Sequence, residues 1–151
     1  MSCCTFIASD APLREAAPSQ SYPLVLDLDM GSVEDGGADD NYFLTAFSDV
    51  GFYTDRRYAV SLEWNATAGR AERLVTYIRE ALRETDAVEL WHVWLGEFFE
   101  FEDRPFLHRQ TVSANDLTAE HIRQIDQAEI WNRPDKRCPS RPSFYCLTVT
   151  R

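Results

Sequence analysis

The chain has 151 residues, 44% of them hydrophobic and 26% charged, which is enough apolar mass for one domain with its own core and too much for a disordered chain. Twenty-five acidic residues against fifteen basic ones leave a formal charge of −10, which argues against a nucleic-acid or anionic-membrane binder, since both need a basic surface. The start of the chain has no positive n-region and no apolar run approaches the length of a span, so a cytoplasmic location is expected and the four cysteines read as thiols.

Residues 4–9 form a short β-rich run, and Pro12, Pro18 and the serines at 19 and 21 mark a loop. Residues 22–29 alternate, with Leu24, Leu26 and Leu28 on one side and Val25, Asp27 and Asp29 on the other, the period of a half-buried strand. Residues 30–56 are broken by Gly31, Gly36 and Gly37 yet contain Tyr42, Phe43, Phe47, Phe52 and Tyr53. They read as an ordered acidic, aromatic-containing excursion packed on the body. Residues 58–64 alternate again. Residues 67–84 give the clearest helix, with Ala71, Leu74, Val75, Ile78 and Leu82 on one stripe.

Residues 87–95 predict a second strong strand, continued by 98–101 past Gly96, and 102–105 read as a tight turn that returns 106–112 as an antiparallel hairpin partner. A second helix is expected over 118–127, where Leu117 and Ile122 have the spacing of a hydrophobic staple. A short strand at 129–131, a Pro-rich turn region and a final strand over 143–150 complete the chain. This order predicts a single α+β domain: a mixed, mainly antiparallel sheet of about five to seven strands, with helices 67–84 and 118–127 on one face.

Three groups of residues could carry chemistry. Leu26-Asp27-Leu28-Asp29-Met30-Gly31 closes an apolar run and resembles the opening motif of haloacid dehalogenase-like phosphotransferases. That resemblance, confined to this stretch, implies Asp27 as nucleophile and Asp29 as acid/base. Downstream the pattern departs: Asp39 and Asp40 follow too soon to be the family's distal acidic motif, no lysine precedes Lys136, and no Rossmann-type βαβ series follows. The wider set Asp27, Asp29, Glu34, Asp35, Asp39 and Asp40 offers hard oxygen ligands, but neither Asp27 nor Asp29 as position one puts Gly at six or Glu at twelve of an EF-hand loop. His92 and His108, on the two strands of the expected hairpin, could be cross-strand neighbours able to bind a metal or move a proton. No cofactor is expected. The cysteine spacings miss the structural-zinc pattern, there is no nucleophile elbow, and Gly36-Gly37 is flanked by acids that repel phosphate.

Charge distribution is the most informative feature. Between Glu15 and Asp55 there are nine acids and no Arg or Lys, so this segment alone holds −9 of the −10. Such repulsion opposes folding; it serves solubility or attraction to a basic partner. Asp35, Asp39 and Asp40 would steer approach, and Tyr42, Phe43, Phe47 and Phe52 would supply buried anchors. The leading expectation is a non-enzymatic acidic protein that binds a basic protein partner, in the manner of an inhibitor, an immunity protein or a nucleic-acid mimic. The alternative is a small enzyme or metal-binding domain using the carboxylates around Asp27–Asp40, with or without His92 and His108.

Overall fold

The computed structural model describes residues 2–15, 25–27, 32–34, 43–46, 51, 53–63, 68–95, 107–126 and 144–151. Strand β1 (Ser2–Ser9) is followed by the short strands β2 (Val25–Asp27), β3 (Ser32–Glu34) and β4 (Phe43–Ala46), then by β5 (Tyr58–Glu63), helix α1 (Ala68–Ala81), β6 (Ala87–Leu95), β7 (Leu107–Ser113), helix α2 (Ala119–Asp126) and β8 (Phe144–Thr150). Six strands make one sheet in the order β4-β5-β1-β6-β8-β7, while β2 and β3 pair with each other in a separate hairpin. Every neighbouring pair is antiparallel except β7 with β8. The result is the expected mainly antiparallel α+β sheet, with both helices on one face.

The strand period of two divides the core. Val88 and Leu90 of β6 join Ile7, Val60, Leu62, Leu147 and Val149 in a layer beneath the helices. The helices supply Ala71, Leu74, Val75, Ile78 and Leu82 from around α1 and Leu117, Ile122 and Ile125 from around α2. These are the residues the 3.6 period singles out, and Leu74 and Ile78 are fully buried. Alternate residues, Phe6, Ala8, Trp91, Val93 and Cys146, form a smaller aromatic cluster on the opposite face. Thr118 precedes helix α2, and its backbone N–H donates to Nδ1 of His121 at 3.2 Å, so that histidine reaches back to the helix start in the place usual for Glu or Gln.

The expected hairpin between residues 87–95 and 106–112 does not form. β8 lies beside β6, with Trp91 opposite Cys146, and β7 lies beyond it, with Arg109 opposite Cys146 in parallel register. The reason lies in α2. It connects β7 to β8 and must bury Leu117, Ile122 and Ile125 over the sheet, so the chain makes a crossover that returns β8 parallel to β7. The strands expected at 98–101 and 129–131 lie outside the described residues.

Candidate functional site

β1 and β5 are adjacent antiparallel strands, with Ser9 opposite Tyr58. The link between them, residues 10–57, would need only a few residues to close a hairpin; instead it contains β2, β3, β4 and the whole acidic segment. Both ends of this insertion are tied to the body. On the helix side Leu13 packs on the core, and the Tyr77 hydroxyl donates to the carbonyl of Arg14 at 2.6 Å. At the other end the chain crosses the aromatic face. The Tyr53 ring packs 5.8 Å from Phe6 and 6.5 Å from Trp91 between centroids, and its burial raises the phenol's pKa. Tyr53, one of the aromatics of the expected excursion, therefore belongs to the domain's own second core.

Glu89 fastens this crossing. It is the one acid in the apolar run of β6, and strand alternation points it to the aromatic face, where its side chain is only 8% exposed. The Thr54 hydroxyl donates to its Oε2 at 2.6 Å and the Trp91 indole N–H donates to the same oxygen at 2.8 Å. Arg56 Nε donates to Oε1 at 3.5 Å, and the Arg109 guanidinium stands 3.6 Å from Oε1 while lying 5.4 Å over the Trp91 ring. Arg56 also donates to Asp10, which holds its pKa up and joins the two ends of the insertion directly. A carboxylate that accepts from Thr54, Trp91 and Arg56 and pairs with Arg109 acts as a fastener: through Thr54 and Arg56 it holds the crossing on the sheet.

Cys146 lies on the same face. Burial, reinforced by the charge of Glu89, pushes its thiol up to about 12, so it stays protonated and a poor nucleophile at neutral pH.

The expected histidine pair is not a pair. His92 and His108 occupy one row of the sheet, but Tyr145 of β8 stands between them, opposite both. His92 is buried on the helix face. Its Nδ1 is 2.9 Å from Thr5 Oγ1, its Nε2 has no hydrogen-bond partner among the described residues, and burial lowers its pKa. His108 is exposed, with its ring tilted against Tyr145 at 5.7 Å. β8 displaces the hairpin that would have joined them.

Asp27 ends β2, opposite Ser32 of β3. The implied phosphotransferase strand would sit in a parallel Rossmann-type sheet; this reversal is too tight for the crossover a parallel partner requires. Phe43 begins β4, at one edge of the main sheet among the described residues, with its backbone opposite Glu63. Asp29, Asp35, Asp39, Asp40, Tyr42, Phe47 and Phe52 lie outside the described residues. Among those that are described, no three His, Cys, Asp or Glu side chains converge as a metal site, and no helix is long and apolar enough to cross a membrane. No family model, curated protein or solved structure matches this chain.

Proposed function

We propose that the chain is a non-enzymatic acidic protein that binds a basic protein partner through the segment between Glu15 and Asp55. One observation carries this reading: the segment from Glu15 to Asp55, which holds −9 of the formal −10, lies within the insertion between two adjacent strands, so outside that segment the chain is close to neutral. Long-range attraction depends on such concentrated charge, whereas solubility is served as well by charge spread evenly. The anchoring of both ends, through Tyr77 on one face and Glu89 on the other, supports the reading, because a carrier of docking charge must be fixed to the body it positions.

The test starts from the natural partner. The wild-type chain and a variant carrying Asp35→Asn, Asp39→Asn and Asp40→Asn are used to retain proteins from extracts of the native cell, and association of the retained protein is then timed. Salt should slow the wild-type on-rate between about 0.01 M and about 0.15 M, as the Debye length shrinks from about 30 Å to about 8 Å. The triple variant should associate about fivefold to tenfold more slowly at low salt and respond less to salt. Retention of no basic protein, or equal on-rates for both chains at low salt, refutes the reading.

A further inference from the structure

A cleft of about 200 Å³ lies between the chain that follows β1 and the last turns of α1. Tyr77, Glu80, Ala81 and Glu84 line one side at helical spacing, and Pro12 and Leu13 face them. The floor is thus apolar, and two exposed carboxylates border it. Arg14 also borders it and brings its guanidinium 3.7 Å from Glu80, an exposed ion pair that solvent keeps weak. The formal charge of the lining is −1, two glutamates against one arginine. Glu15, the first acid of the charged segment, follows Arg14 directly.

A space with an apolar floor and a carboxylate border matches a long cationic side chain, whose methylene stem prefers apolar contact while its head stays with charge and water. An anionic group would meet Glu80 and Glu84, and a neutral apolar one would leave Glu84 unanswered. Arg14 shows that a guanidinium is accommodated beside Glu80. Resting on the proposed function, we infer that this cleft is an anchor pocket of the interface and takes one arginine or lysine side chain of the basic partner.

The probe is N-acetyl-arginine amide, titrated into the isotope-labelled full chain and followed by amide NMR, with the neutral isostere N-acetyl-citrulline amide as control. The arginine compound should give saturable shifts at Leu13, Ala81 and Glu84, and the citrulline compound should bind about tenfold more weakly. A variant with Glu80→Gln and Glu84→Gln should lose binding about tenfold while its melting temperature holds, since both side chains are exposed. Equal binding of citrulline, shifts confined to other surfaces, or full binding by the double variant overturns the inference. Failures of the two readings separate. Arginine binding that persists when Asp35, Asp39 and Asp40 prove irrelevant to partner association leaves the cleft and removes the segment. Absence of arginine binding while those acids still steer the partner removes the cleft alone.

Discussion

Glu89→Gln is the most searching single change, because it keeps the shape of the fastener and alters only its charge and one acceptor. With the amide oxygen at the Oε2 position, the bonds from Thr54 and Trp91 survive, but the new NH₂ meets Arg56 and Arg109, donor against donor. With the amide reversed, the NH₂ meets the buried indole N–H of Trp91 instead. Either way at least one donor is orphaned, at about 1–3 kcal/mol. Deleting one partner of a fully buried ion pair costs about 3–5 kcal/mol, but the Arg56 and Arg109 side chains are 27% and 47% exposed and can rehydrate, so about 1 kcal/mol remains. The expected loss is about 2–3 kcal/mol by urea unfolding, or about 5–10 °C in melting temperature for a chain of this size. Because the crossing at residues 53–57 should loosen first, trypsin should cut faster after Arg56 or Arg57 in the variant. Asp10→Asn, at an exposed partner of Arg56, should cost under about 1 kcal/mol. A Glu89→Gln protein within about 0.5 kcal/mol of wild type, with unchanged cleavage, refutes the assignment of Glu89 as the fastener.

Ile78→Ala or Leu82→Ala should each cost about 2–5 kcal/mol in the same unfolding assay, since both side chains lie in the layer between α1 and the sheet. His92 has a folded pKa below its ordinary value of 6.5, so its neutral form stabilises the fold fully above that pH and the contribution fades on acidification. Between about pH 7.5 and pH 5.5 the wild type should therefore lose more stability than His92→Gln, by up to about 1.4 kcal/mol per pH unit; parallel pH curves would show that burial of His92 is not being titrated. Cys146 has the opposite sign. Its raised pKa, against an ordinary 9.0, makes the thiol stabilising below about pH 9, and the benefit is lost as pH rises towards 12, a loss that Cys146→Ala should remove. At neutral pH reductant should leave the melting temperature unchanged, and native Cys146 should resist alkylation; a reductant-sensitive melt would reveal a crosslink.

The elements legible in the sequence are those with a strong local period. Helix α1 carries four apolar residues of a stripe at 3.6 spacing that Leu82 extends just past its end, and β5, β6 and β8 alternate or run apolar under both layers. Their pairing is harder to read, because it depends on contacts between distant parts of the chain. Residues 106–112 look like a hairpin return from β6, and only the need of α2 to bury Leu117, Ile122 and Ile125 explains why β8 comes between. Loss of that hairpin also dissolves the histidine pair. Glu89 does leave a signal: a lone acid inside Ala87–Leu95 must find donors if it is buried. Asp10, Thr54 and Arg56 leave none, since nothing local distinguishes them from surface polar residues. Tyr53 resembles its aromatic neighbours in the acidic segment, and only its packing on Phe6 and Trp91 assigns it to the core.

The position of β1 has a kinetic consequence. It leaves the ribosome before either strand that flanks it, and neither is near in sequence: Thr5 pairs with Leu62 on one side and His92 on the other. Until β5 and β6 have been synthesised, Phe6, Ile7 and Ala8, all fully buried in the finished protein, lack the strands that flank them. Closing the long link before β5 costs about 2 kcal/mol more in chain entropy than a four-residue turn would, and topologies dominated by distant pairings fold slowly. Folding in the cell is therefore bound to wait until β6 has been made, and meanwhile an apolar strand remains open to association with other chains.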